Sequence, residues 1–230
     1  MAWRCSGATN SELIRNLFDN GLITSDRVKR AMMAVDRAHF APASPYSDSP
    51  QPIGHAATIS APHMHAAACE SLLPFLKPGS RVLDIGSGSG YLTAVLAELV
   101  QPGGVVVGLE HISALRSLGE TNMGKSDRGR ELLREGSVRF VKGDGRKGWK
   151  GGTGEEDQGW DAIHVGAAAV KMHEDLLTQL KRPGRLFIPV EDGDGEGQSI
   201  WVVDKGPDGR VVKKRTMGVR YVPLTDAPEE

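Results

Sequence analysis

The sequence predicts an α/β fold: a mostly parallel, twisted sheet with helices on both faces and an antiparallel carboxyl-terminal edge. Two observations carry this reading. From residue 72 onward, short apolar runs alternate with helical stretches, as successive βαβ units do. After residue 198 the apolar runs follow one another with few residues between them, which suits antiparallel neighbours.

The elements follow in order. Thr9 and Glu12 have capping-box spacing ahead of the periodic Leu13, Ile14 and Leu17, and Asn20-Gly21 stops that helix. A second helix is expected over about 26–36, with Val28, Met32 and Val35 on one face. Pro42, Pro45, Pro50 and Pro52 then punctuate an irregular stretch ending near Ile53-Gly54. Buried strands are expected at 81–85, 105–110, 138–141, 162–165 and 185–188, with helices at 91–100 and about 171–180 between them. Residues 199–203 and 211–222 complete the strands; 148–159 and 191–198 read as solvated loops rich in glycine and acid. Residues 119–136 carry no clear pattern. One domain is expected over 1–230: a helical amino-terminal extension (1–56) covering the site, a ligand-binding core (57–190) and terminal strands (191–230).

Composition narrows the function. Hydrophobic residues make up 39% and charged residues 25%, as in ordinary globular proteins. Twenty-eight Lys and Arg against 29 Asp and Glu leave a net charge of -1, without the basic excess of nucleic-acid binders. Lys213-Lys214-Arg215 reads as one solvated strand face. Cys5 and Cys69 form no CxxC pair, no run reaches membrane-spanning length, and the start lacks a signal-peptide core. A cytoplasmic protein that binds neither nucleic acid nor membrane and acts as a monomer is expected.

The most informative segment is Asp84-Ile85-Gly86-Ser87-Gly88-Ser89-Gly90, at the carboxyl end of the first parallel strand. Glycines there let the backbone approach a ligand, and ligands bind open α/β sheets at such strand ends. The dinucleotide fingerprint fails because position 91 is Tyr91, where it needs glycine or alanine, which disfavours a nicotinamide oxidoreductase. Three alternating glycines behind an acid resemble motif I of Rossmann-like class I S-adenosylmethionine methyltransferases. Glu110, ending the second strand, is placed for ribose hydroxyls, and Asp144, ending the third, for an adenine amino group. Each alone reads as a cap or turn residue; three acids in register favour the cofactor.

The segment Ala57-Thr58-Ile59-Ser60-Ala61-Pro62-His63-Met64-His65 admits several readings. His63 and His65 lack the further ligands that a metal site needs, so no metal is expected. Ser60 has no nucleophile elbow around it. From the residues alone, Ser60 reads first as the cap of a helix opening at Ala61-Pro62.

That segment, with Asp48-Ser49-Pro50-Gln51, residues 83–90, residues 161–168 and the terminal Met217-Gly218-Val219-Arg220-Tyr221-Val222-Pro223-Leu224-Thr225, resembles the protein-L-isoaspartate (D-aspartate) O-methyltransferase family in order along nearly the whole chain. The resemblance implies methyl transfer from S-adenosylmethionine, leaving S-adenosylhomocysteine, to the free α-carboxylate of L-isoaspartyl residues in damaged peptides and proteins, and of D-aspartyl residues in some members. The ester then collapses to a succinimide whose hydrolysis partly restores aspartate. It implies that Ser60 lies beside the reacting carboxylate. It also implies a cofactor site of Ile59, Ala61, Pro62, His63, Met64, Asp84, Gly86, Ser87, Gly88, Ser89, Gly90, Glu110, His111, Asp144, Gly145 and Thr225. Loops 148–159 and 191–198 look longer or more charged than the family pattern. A class I methyltransferase acting on a small molecule explains the glycines and acids but leaves 58–65 and 221–225 without a task. A non-catalytic module would have little reason to keep both.

Overall fold

Residue chemistry at the amino terminus sets up the first helix pair. In the computed structural model, which describes residues 5–151, 158–193 and 197–226, α1 (Asn10–Asp19) is capped by Thr9, whose side chain accepts from the Glu12 amide at 3.2 Å. The Glu12 carboxylate reaches back to the amide of Ala8, one residue before the cap, at 2.9 Å. Leu13, Ile14 and Leu17 are fully buried, each worth about 1.5–3 kcal/mol of transfer free energy. Helix α2 (Asp26–Ala34) ends two residues before the expected boundary because Asn10 clamps its last turn. The Asn10 amide donates to the carbonyls of Met32 (3.1 Å) and Val35 (3.2 Å), while its oxygen accepts from the amide of Arg37. A single 3-10 turn, Arg37–His39, follows.

The stretch expected to be irregular contains a hairpin, β1 (Gln51–Gly54) with β2 (Ala57–Ile59). Its turn residues His55 and Ala56 both have positive φ, 52° and 54°, as a tight hairpin turn demands. Helix α3 (Pro62–Leu72) opens at its proline, as the sequence suggests, but the expected Ser60 cap is not made. Ala61 is the cap residue and its own side chain makes no cap bond; the first-turn amide of His63 donates instead to the Asp48 carboxylate at 3.0 Å. Proline at the first helical position leaves one fewer amide needing a partner.

The central sheet joins β3 (Arg81–Ile85), β4 (Val105–Glu110), β5 (Val138–Lys142), β6 (Trp160–Val165), β7 (Leu180–Glu191), β8 (Gln198–Lys205) and β9 (Val211–Val219) in the order β5-β4-β3-β6-β7-β8-β9. The first five pair in parallel; β8 and β9 add antiparallel neighbours at the edge, as expected. Alternate residues feed two cores. Val82, Val106, Val138 and Phe187 face one, and Leu83, Ile85, Val107, Leu109 and Ile188 face the other. The first core is covered by α1 to α3, α4 (Tyr91–Val100) and residues of α5 (Ser113–Met123) and α6 (Asp127–Arg134). Among the described residues, α7 (Glu174–Gln179) covers the second, with Trp149, Met172 and Leu224 packed alongside. Helices thus lie on both faces, unevenly.

Further boundaries differ from the sequence reading, among them β7, expected at 185–188 and running Leu180–Glu191. The segment 119–136 holds the end of α5 and all of α6, whose cap Ser126 accepts from Gly129 at 3.0 Å. Helix α7 is six residues long, starting only at Glu174 after His173; at its end buried Lys205 donates to the carbonyls of Leu177 (2.7 Å) and Leu180 (2.8 Å). Strand β9 stops at Val219, and the chain then crosses back over the sheet. The expected loops at 148–159 and 191–198 include 152–157 and 194–196, which lie outside the described residues.

Candidate active site

The strand order reverses between β3 and β6, and the glycine turn sits at that point. Gly86, Gly88 and Gly90 all have positive φ, and the Gly86 amide donates to Leu109 at 2.8 Å. Gly90 caps α4 at φ 86°, where a Cβ would meet Phe140 and Gly119 at 3.0–3.1 Å. Beside the turn, Glu110 is 5% exposed, and its carboxylate accepts from the amides of Gly88 (3.0 Å), His111 (2.8 Å) and Ile112 (3.1 Å). Those three bonds fix the carboxylate at the edge of a cavity of about 310 Å³.

Of the expected site residues, Gly86, Gly88, Glu110, His111, Gly145 and Thr225 line this cavity. Its apolar walls come from Ile112, Leu115 and Leu224, and the strained hairpin turn His55-Ala56 closes one side. A Cβ on Gly145 would stand 2.3 Å from Ile85, so glycine is required there. The segment after β9 forms the remaining wall. Ala168 accepts from Leu224 at 2.7 Å and donates to Val222 at 2.8 Å, and Nδ1 of His111 lies 3.1 Å from the Thr225 carbonyl. Asp144 stands beside the cavity with its carboxylate turned to Arg146, two contacts of 2.9 Å. That guanidinium, more than any other group, holds Asp144 below the usual carboxylate range.

A second, smaller cavity of about 30 Å³ adjoins the first, and Thr58, Gly86, Gly88 and Gly166 line both. Ile59, Ser60, Asp84, Ser87 and Ser89 line it, with His65, Tyr91 and His164. Asp84 is 1% exposed; its carboxylate accepts from the Thr93 hydroxyl at 2.5 Å and lies 2.8 Å from Nδ1 of His164. The Ser60 carbonyl accepts from buried Arg37 at 2.8 Å. Burial pushes the Tyr221 phenol up to about 12, so it stays neutral.

Ala61, Pro62, His63, Met64, Gly90 and Asp144 line neither of these two cavities. His63 and His65 face different partners: His63 binds Asp48 through its amide (3.0 Å) and Nδ1 (2.8 Å), whereas His65 meets Arg37. The sequence reading passed over Arg37, Tyr91 and the roles of Asp48 and His164. The last two fall inside quoted segments; Arg37 and Tyr91 carried no local signal.

The residues fit S-adenosylmethionine. A fixed carboxylate beside a glycine turn suits ribose hydroxyls, an apolar slot suits adenine, and the Ser60 cavity opens from the same corner.

Comparison with known proteins agrees with this geometry. The family model described as Protein-L-isoaspartate(D-aspartate) O-methyltransferase matches residues 8–229. The chain is 47% identical to a Caenorhabditis elegans protein named protein-L-isoaspartate O-methyltransferase, covering 100% of this chain and 98% of that one. It is 48% identical to Arabidopsis thaliana protein-L-isoaspartate O-methyltransferase 1, covering 94% and 91%. Among solved structures, a Plasmodium falciparum protein described as a protein-L-isoaspartate O-methyltransferase, in complex with S-adenosyl-L-homocysteine, superimposes with a TM-score of 0.85. It is 33% identical and covers 95% of this chain and 99% of its own. Paired cavities at the strand switch point and relatives matched end to end lead to one placement: the chain belongs to the protein-L-isoaspartate (D-aspartate) O-methyltransferase family.

Proposed function

We propose that the chain transfers a methyl group from S-adenosylmethionine to the free α-carboxylate of L-isoaspartyl residues, and of D-aspartyl residues, in damaged proteins and peptides. The observation that carries this reading is the joining of the Glu110 cavity to the Ser60 cavity through Thr58, Gly86, Gly88 and Gly166. The larger space suits the cofactor, and the smaller one an acceptor brought against it. When bound, S-adenosylmethionine supplies a sulfonium methyl group open to attack by an oxygen nucleophile.

The chain's own residues then have modest tasks. A carboxylate is ionised at neutral pH, so no base has to deprotonate the acceptor. Positioning in a dry site can lower a barrier by about 7–11 kcal/mol. We assign Ser60 the role of orienting the carboxylate by hydrogen bonding, without becoming a covalent nucleophile. Glu110 would hold the ribose, and the backbone about Gly86–Gly90 and Gly145 would pack against the cofactor. Residues 1–56 would cover the acceptor side, a reading supported by the Arg37 contact with Ser60.

Two buried free thiols, Cys5 and Cys69, support a reducing, cytoplasmic setting. A net charge of -1 supports a protein acceptor over a nucleic acid, and we read the chain as acting as a monomer. The test is methyl transfer from labelled S-adenosylmethionine to two synthetic peptides that differ only in carrying isoaspartate or aspartate. Base-labile label on the isoaspartyl peptide alone is the expected result. Label on neither, with cofactor binding intact, would sink the acceptor assignment.

A further inference from the structure

Arg37 is fully buried, 0% exposed, with its guanidinium 5.0 Å from the centroid of the Tyr91 ring. Its terminal nitrogens reach two elements: Nη2 donates to the Ser60 carbonyl at 2.8 Å, and Nη1 lies 3.2 Å from Nδ1 of His65. A guanidinium carries donors and no acceptor. Nδ1 of His65 therefore accepts, and the ring carries its proton on Nε2. Among the described residues, His65 makes its side-chain hydrogen bond through Nδ1, while the ring lines the small cavity with Ser60.

We infer that Arg37 is a positioning residue: by holding His65 in the neutral, Nε2-protonated form, it gives the acceptor cavity a second donor, beside Ser60, for the isoaspartyl carboxylate. The inference rests on the methyl-transfer reading above. A carboxylate offers about four lone-pair sites, so two donors can fix its plane while one lone pair attacks. The neutrality of the donor matters. An imidazolium would ion-pair with the nucleophile and hold the electron pair that must attack, whereas neutral N–H and O–H groups orient it and bind it less strongly.

The groups around His65 favour the neutral ring from several sides. Burial is the largest influence, followed by Arg37 from the turn after α2, His164 from β6 and His63 from α3 itself; together they hold the imidazole well below its ordinary range. Tyr91 of α4 is in ring contact at 5.1 Å. The nearby carboxylates are engaged elsewhere, Asp84 with His164 and Thr93, Asp48 with His63. Burial lowers Arg37 only to about 10, so its charge persists at neutral pH.

The experiment pairs nitrogen NMR of imidazole-labelled protein with steady-state kinetics. In the wild type the His65 signal is expected to show a neutral ring protonated on Nε2 from about pH 5.5 to 8. In Arg37→Met burial still keeps the ring neutral, but Nδ1 loses its donor and the Nδ1-protonated tautomer appears. There the KM for the isoaspartyl peptide rises about tenfold, the loss of one hydrogen bond, with the KM for S-adenosylmethionine unchanged. His65→Leu gives the same peptide KM, the double variant is no worse, and His65→Gln, which restores a donor, recovers most of the loss. A wild-type His65 that titrates ordinarily or carries its proton on Nδ1 overturns the proposal, whatever the variants do. Additive losses in the double variant overturn it too, leaving Arg37 a structural residue. A change confined to the cofactor KM overturns the acceptor assignment and moves the donor to the methionyl carboxylate. Wild-type protein that methylates no isoaspartyl peptide overturns the functional reading itself, before any variant is compared.

Discussion

Arg146 ties Asp144 to Asp226. Its guanidinium donates to both carboxylate oxygens of Asp144 at 2.9 Å and also to Asp226, 80 residues further along the chain. Asp226 lines the larger cavity, so the clip holds the terminal segment as a strap across the proposed cofactor site. Arg146→Ala is expected to loosen that strap and speed S-adenosylhomocysteine release about two- to fivefold, an exposed ion pair being worth about 0.2–1 kcal/mol. Stopped-flow displacement measures it; an unchanged off-rate would mean the strap is held by its backbone bonds to Ala168 alone.

The same pair sets a pH dependence. Asp144 has a folded pKa below its ordinary 3.8, chiefly through the hydrogen bond from Arg146. Its contribution is therefore fully present above pH 3.8 and is lost as pH falls below that value through the folded pKa. Because the carboxylate is about a quarter exposed, the contribution is at most about 1 kcal/mol. Arg146→Ala should flatten the acid limb of the stability curve by that amount and leave stability near pH 7 lower by the same.

Asp84 and His164 form the buried pair under the acceptor cavity, 1% and 6% exposed in their side chains. Asp84→Asn keeps an acceptor for Thr93 but removes the charge that faces His164. Weakening a buried hydrogen bond to a carboxylate costs about 1.5–3 kcal/mol, so thermal denaturation should show a clear drop. Cofactor affinity should fall with it; a variant that unfolds like the wild type would show that the pair is not coupled to stability.

The parallel strands were legible because burial on both faces produces unbroken apolar runs, as in Val105-Val106-Val107. The β1-β2 hairpin was not, because it turns on His55-Ala56 in place of the asparagine or glycine that marks such turns. Helix α6 buries Gly129 and Leu132 alone, too few positions to make a period. Asp84, Glu110 and the glycine turn could be found from one segment each. Arg37 could not: arginine is almost never fully buried unless paired, and its partners lie 23 and 28 residues away.

Glu110 should be the residue on which cofactor binding depends most. Glu110→Gln keeps one oxygen for the three amides that now share two, and removes the charge offered to the ribose. Hydrogen bonds to a charged group are worth about 1.5–3 kcal/mol, so the Kd for S-adenosylhomocysteine should rise roughly ten- to a hundred-fold by calorimetry. Full affinity in the variant would remove Glu110 from the cofactor site.

Gly90→Ala tests the turn itself. At φ 86° an alanine is strained, and its Cβ would press on Phe140 and the Gly119 backbone. The expected loss is about 2 kcal/mol or more, seen as a lower denaturation midpoint with cofactor affinity reduced alongside.

Ser60→Ala separates orientation from covalent catalysis. The substitution removes only the hydroxyl and leaves the carbonyl bond from Arg37 intact, so the backbone has no reason to move. Losing one orienting hydrogen bond costs about 1–3 kcal/mol, or roughly ten- to a hundred-fold in rate. We expect kcat on the isoaspartyl peptide to fall by that factor while S-adenosylhomocysteine affinity stays at the wild-type value. A complete loss in Ser60→Ala, with peptide and cofactor still bound, would instead give the serine a part in the chemical step that hydrogen bonding does not explain.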